Sequence, residues 1–243
     1  MRDKNSVVRK AVRIDLGFRD YEEVLDLQNR LAQERFEGLI PDLLLTVEHP
    51  HTYTLGRASK EEDLLLNPEE LKERGIRTFH IARGGRITYH GPGQIVGYPI
   101  LDLREFGQDV HRYLRALEEV LIRTLGSFGI MADRIAGRTG VWVGRAKIAA
   151  IGVGIRRWIT FHGFALNVAP DLSYFNGIIP CGIAGCQVTS MSLALGRVVE
   201  TAQVLAVLAN CFAETFGLEM RMESDEWLHR FAGSSEEAPL AAR

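Results

Sequence analysis

The 243-residue chain has little cysteine: Cys181, Cys186 and Cys211 only, an odd number at no repeated spacing. That argues against a disulfide framework and for a reducing compartment. Long apolar runs are missing as well. The longest, near IAAIGVGI (148–155), falls far short of the ~18 residues a membrane span needs. The N-terminus, MRDKNSVVRK, carries no hydrophobic stretch of the secretory kind, so a cytoplasmic location is expected. Neither sign of charge is in excess: 29 Lys and Arg stand against 31 Asp and Glu, a net charge of −2. A whole-chain nucleic-acid binder would be basic. GxxxxGK[ST] and GxGxxG are both absent, which leaves no dedicated nucleotide motif. No repeat and no Pro/Gly/Ser linker divides the chain. What is present, 46% hydrophobic and 25% charged residues, is ordinary globular composition with enough length for a real core.

Periodicity places the elements. Val12, Ile14 and Leu16 alternate with Arg13 and Asp15, which predicts a half-buried strand; Val24, Leu27 and Leu31 then fall at helical spacing within 21–37. DLLLTVEH (42–49) reads as a buried strand, and NPEEL (67–71) as a helix start with Asn67 as cap. The strongest helix spans 109–128, with Val110, Tyr113, Leu117, Leu121 and Leu125 on one face, Asp109 as cap and Gly129 as stop. GVWV (140–143), KIAAIGVGI (147–155) and TFHGFALNV (160–168) form a β-meander. A last helix, about 201–216, carries Cys211 on its apolar face, where a thiol is usually a small core residue. Helices and strands mix without βαβ regularity, so the expected fold class is α+β: one domain, a mixed β-sheet with packed helices. The polar tail AGSSEEAPLAAR (232–243) is expected to be disordered, leaving a domain over 1–231.

Charge is unevenly placed. Arg74 to Leu101 holds no acidic residue but Arg74, Arg77, Arg83 and Arg86; Arg134 to Pro170 holds none but Arg134, Arg138, Arg145, Lys147, Arg156 and Arg157. These are either solvated strand decoration or a basic rim for an acidic partner.

Two segments carry candidate chemistry. RGGRITYHGPGQ (83–94) packs four glycines and a proline into twelve residues, an irregular run that lets backbone approach a ligand. Arg83, Tyr89 and His90 are costly residues for a mere turn. Cys181 sits in IIPCGIAG (178–185), between Pro180 and Gly182, where a thiol is reactive or simply part of a loop. Cys186 reads as structural, and no second close cysteine pair completes a zinc set, so no metal is expected. A free thiol of pKa ~8.5 needs a base or cation beside it. The candidates are His90, His162, Lys147 and the arginines. Lys147 opens an apolar strand; it points to water, or it is partly desolvated and able to act as base and then hold a thiolate.

RGGRITYHGPGQIVGYPI (83–100), KIAAIGVGIRRWITFHGFALNV (147–168) and IIPCGI (178–183), in that order, resemble the lipoyl(octanoyl) transferases, over about residues 10–220. The resemblance implies a fold shared with the catalytic domains of biotin and lipoate protein ligases. It implies transfer of octanoate from an acyl carrier protein thioester to a lysine of a lipoyl domain, on 2-oxoacid dehydrogenase E2 subunits or the glycine cleavage H protein. It implies an acyl-enzyme on Cys181, with Lys147 lowering the pKa of its thiol. Substrate contacts map onto Arg83, Gly84, Gly85, Arg86, Ile87, Thr88, Tyr89 and His90, onto Ala150, Ile151 and Gly152, and onto Gly163, Phe164 and Ala165. No cofactor, nucleic acid or membrane partner is implied. The thioester is already activated, in keeping with the missing nucleotide motifs. The competing readings are an ATP-dependent lipoate or octanoate ligase, which needs no cysteine, a non-catalytic protein that binds acyl carrier protein or a lipoyl domain, and a cysteine hydrolase.

Overall fold

In the computed structural model, residues 9–182 and 185–229 are described, Cys181 by its backbone only. The N-terminal alternation makes strand β1 (Arg9–Phe18), followed by helix α1 (Tyr21–Phe36), which Asp20 caps by accepting from the Glu22 N–H. Strand β2 (Asp42–Glu48) returns parallel to β1, so β1–α1–β2 is one βαβ unit, which the sequence reading did not anticipate. Helix α2 (Pro68–Glu73) carries a full capping box between Asn67 and Glu70. Helix α3 (Val110–Ser127) is capped by Asp109 as its sequence predicts. The meander comprises β8 (Arg138–Val143), β9 (Ala146–Arg156) and β10 (Ile159–Asn167), all antiparallel.

The single sheet expected from sequence is in fact two. The larger runs β11-β1-β2-β6-β10-β9-β8-β7, completed by β6 (Gln94–Ile100), β7 (Asp133–Ile135) and β11 (Leu218–Glu223). The smaller holds β3 (Thr52–Leu55) between β4 (Arg77–His80) and β5 (Thr88–His90). The run 83–94 is thus not wholly irregular: its centre is an edge strand. Three- and four-residue strands carry too little alternation to stand out in a sequence.

Helices α3 and α5 (Thr201–Phe216) bury Leu117, Leu121, Val204, Leu208 and Phe212 against one face of the large sheet, and Cys211 lies in that core. Short helices α4 (Met191–Leu195) and α6 (Glu226–His229) complete the described chain. On the opposite face α1 lies over β10 and β6 and packs Val24, Leu31 and Ala32 into a core shared with β1 and β2, while the small sheet builds its own core from Tyr53, Ile87, Tyr89 and Phe175. The tail 232–243 lies outside the described residues.

The packing within the sheet is close. On β6, Gly97 faces Phe164 of β10, and a Cβ added there would stand 2.1 Å from the Phe164 ring. Gly97→Ala should therefore lower unfolding stability by about 1–3 kcal/mol through overpacking. Gly126→Ala, at an exposed position of α3 with nothing within 4 Å, should raise it by up to about 1 kcal/mol. Denaturant melts of the two variants check both signs.

Candidate active site

Along β9 and β10, Gly152 pairs with Gly163 and Ala150 with Ala165. These small residues leave the sheet without side chains to fill the space between α1 and the small sheet. A cavity opens there, with about 480 Å³ of non-atom space when the open solvent at its mouth is counted. Gly85, Arg86, Ile87, Thr88 and His90 line one side, Ala150, Ile151, Gly152, Gly163, Phe164 and Ala165 the other, together with Arg83, His162, Tyr21 and Tyr98. A smaller pocket shares Thr88, Ala150 and Ala165 with it and adds Gln94, Lys147, Asn167, Phe175, Pro180 and Val188. Gly84 and Tyr89 do not line the cavity. Tyr89 is buried in the small sheet's core, stacked on Tyr174, with its hydroxyl 2.8 Å from His51 Nδ1.

Arg83 holds the covering loop in shape. Its buried guanidinium donates to the carbonyls of Thr54 (2.7 Å), Arg86 (2.8 Å) and Gly84 (3.0 Å) and to Thr54 Oγ1 (2.9 Å). The Gly84 N–H donates to the Val153 carbonyl, tying the loop to β9. The approach is close enough that a Cβ on Gly152 would meet Arg83 Cδ at 2.9 Å.

Lys147 is only 5% exposed, so its place at a strand end does not turn it to water. Its Nζ donates to the Thr139 carbonyl at 3.0 Å and lies 4.8 Å over the Trp142 ring. The main chain of Lys147 also anchors the segment that follows the PCG sequence: its N–H donates to the Gln187 carbonyl, and its carbonyl accepts from Thr189. On the near side, the Ile179 N–H donates to the Asp63 carbonyl. Asp63, its side chain fully buried, pairs with Arg86, which in turn reaches the Gly182 carbonyl at 3.4 Å. Cys181 is the middle residue of the turn Pro180–Gly182 strung between these anchors; its side chain lies outside the described residues. Cys186 is half-buried, with Sγ 3.7 Å from the Gln187 carbonyl.

The histidines are poor bases here. Burial, reinforced by the Arg83 and Arg57 cations, pushes His162 down to about 3. His90, buried beside His49 and Arg83, is held well below the ordinary value, mainly by desolvation. His49 is pushed down to about 4, mainly by burial. Its Nδ1–H donates to the Arg19 carbonyl, so Nε2 accepts from the Tyr98 hydroxyl. All three are neutral at pH 7 and cannot supply the cation a thiolate needs. Among the described residues no cluster of His, Cys, Asp and Glu is placed to hold a metal ion.

The basic rim expected from the acid-free segments is much reduced, because acidic partners come from distant parts of the chain. Arg77 pairs with Asp20 and Glu22, Arg86 with Asp63, and Arg134 with Glu118 and Glu119; Arg157 lies over Phe36. Arg83 and Lys147 are buried. Arg74, Arg138, Arg145, Arg156 and Arg157 remain exposed, with Arg138 leaning over Trp142. Tyr21 and Tyr98, which sequence reasoning missed as cavity residues, carry no local signal: one opens a helix, the other sits mid-strand.

The family of lipoyl protein ligase A/B catalytic domains matches residues 20–213, and the chain belongs to it. Its solved neighbours share the fold. A lipoate-protein ligase A bound with ATP superposes with a TM-score of 0.72 at 19% identity, covering 91% of this chain and 93% of that one. The Aquifex aeolicus biotin protein ligase, in complex with biotin and ATP, does so at 0.52 and 13% identity, over 85% and 70%. Within the family the chain goes with the octanoyltransferases: that of Solibacter usitatus is 53% identical over 205 residues, 84% of this chain and 92% of that protein. It is an enzyme, and its class of reaction is acyl transfer. Among the described residues no helix is long and apolar enough to cross a membrane.

The depressed histidines give a stability prediction. A histidine that titrates near 6.5 unfolded and near 3 or 4 folded takes its proton first in the unfolded state. Its contribution is complete above pH 6.5 and is lost on acidification below it, by up to about 1.4 kcal/mol per pH unit for each group. Unfolding stability should fall between pH 6.5 and 5, and His162→Gln should make that slope shallower. A slope unchanged by the substitution contradicts the burial of this imidazole.

Proposed function

We propose that the chain transfers an octanoyl group from the thioester of acyl carrier protein to the lysine of a lipoyl domain, through an acyl-enzyme on Cys181. The acceptors are lipoyl domains of 2-oxoacid dehydrogenase E2 subunits and the glycine cleavage H protein, and the setting is the cytoplasm. The observation that carries the reading is the pairing of a buried Lys147 with Pro180, the neighbour of Cys181, on one pocket that shares its walls with the larger cavity.

The Cys181 thiolate attacks the donor thioester and carrier thiolate leaves, so one thioester replaces another of similar energy. The lysine amine of the acceptor then attacks the acyl-enzyme. Its proton goes to Lys147 in its neutral form, the Cys181 sulfur leaves, and the stable amide draws the reaction forward. In its charged form the Lys147 ammonium favours the thiolate. The acyl chain occupies the cavity over Ala150, Gly152, Gly163 and Ala165, where each buried CH₂ contributes about 0.8 kcal/mol. Backbone N–H groups of the 83–90 loop and the Cys181–Gly182 turn are the donors for the oxyanion. Arg138 and Arg145, exposed on the β8–β9 side, suit an acidic carrier.

The ligase reading differs in requiring ATP, and it is the nearest alternative because the fold is shared. Purified protein, octanoyl-carrier and a lipoyl domain, incubated without nucleotide, should yield octanoylated domain. Lys147→Ala should slow the transfer by at least about tenfold and raise the pH at which it half-occurs, since the loss of one base or neighbouring cation is of that order. Transfer only on addition of ATP, or a Lys147→Ala enzyme with an unchanged pH profile, contradicts the proposal.

A further inference from the structure

One acceptor of the Lys147 ammonium is an end of a peptide group whose other end is also held. Lys147 Nζ donates to the Thr139 carbonyl at 3.0 Å, and the N–H of the same peptide unit, on Gly140, donates to Glu118 Oε1 at 3.2 Å. Glu118 lies on α3 with its side chain 2% exposed. Its second oxygen, Oε2, accepts from Arg115 Nη1 at 2.6 Å and from Arg134 Nε at 3.1 Å, on β7. The peptide between them is shaped for the contact. Gly140 has φ +120° just before the β8–β9 register shift between Val141 and Trp142, and a Cβ there would stand 2.7 Å from the Ala149 carbonyl and 3.1 Å from Lys147 Cε. Only glycine accommodates that backbone so near the lysine stem.

We infer that Glu118 is a positioning residue for Lys147, acting through the Thr139–Gly140 peptide. A carboxylate that accepts the N–H of a peptide draws positive charge toward itself and leaves the carbonyl oxygen richer in electron density. That oxygen then holds the ammonium more strongly and fixes its direction, much as a buried carboxylate orients an imidazole from behind. The inference rests on the functional reading only for its consequence in catalysis. The charged groups tied to this corner of the fold are Glu118, Glu119 and Arg115 on α3 and Arg134 on β7, which share ion pairs, and Arg138 on β8, which lies over Trp142. Of these, Glu118 is the one joined to the acceptor peptide. Removing its charge destabilises the ammonium, so the Lys147 titration moves to lower pH.

The test follows the Lys147 side chain by NMR, with its signal assigned by Lys147→Arg, in a Cys181→Ala background so that no thiol titrates beside it. Glu118→Gln keeps the shape and removes the charge; the midpoint should fall by roughly half a unit to one unit. The alkaline limb of octanoyl transfer, measured with Cys181 restored, should move the same way. A midpoint that stays put in folded Glu118→Gln overturns the inference. Should that variant fail to fold, Glu118→Asp keeps the charge one methylene short of Gly140. A smaller fall then supports the coupling, and an unmoved midpoint refutes it. An absence of octanoyl transfer by the unmodified protein sinks the functional reading, while the midpoint shift still decides the role of Glu118.

Discussion

A lysine taken out of water inside a sheet is the constraint on which this site is built. An ammonium in a poorly polarisable surrounding needs acceptors in fixed positions. Here the Thr139 carbonyl and the Trp142 ring face supply them. Each in turn makes demands. The carbonyl is aimed by an irregular β8–β9 register and by Gly140, and Trp142 is itself 1% exposed, set under Lys147 and Arg138. The main chain of Lys147 then anchors the segment that returns from the PCG turn. Burial of one side chain thus ties a helix, two strands and a loop to a single point beside the cavity.

The cavity follows from a different economy of atoms. Gly152, Gly163, Ala150 and Ala165 withhold side chains from the middle of a well-packed sheet, and the 83–90 segment lies over the space they leave. Arg83 shows how such a loop is kept from collapsing into it. Its guanidinium satisfies backbone carbonyls of the loop and of β3, so its cation serves the shape of the wall while its stem forms part of it. The polar groups Tyr98 and His90 on the wall and His49 behind it are buried and neutral, which keeps the interior free of mobile charge.

Much of this was legible in the sequence because local chemistry decided it. Asp109 and Asn67 cap their helices as their positions predict, and the meander from 138 to 167 follows directly from alternation and turn-sized gaps. The PCG turn and the glycine-rich run stood out because those residues are expensive unless backbone must come close to something. Other features were hidden for equally physical reasons. β3, β4 and β5 are too short to show a period. The arginines of the acid-free segments looked unpaired because Asp20, Asp63, Glu118 and Glu119 lie far away in sequence. Glu118 itself reads as one more polar residue on an amphipathic helix; only the fold brings it behind the lysine.

The central claim is that acyl chemistry passes through one sulfur beside that lysine. Intact-mass measurement of the protein after incubation with octanoyl-carrier, followed by peptide mapping, tests it most directly. A single octanoyl adduct on Cys181, discharged when a lipoyl domain is added and absent in Cys181→Ala, is the predicted result. An adduct confined to Cys186 or Cys211, or octanoylation of the domain by Cys181→Ala at the unmodified rate, contradicts it.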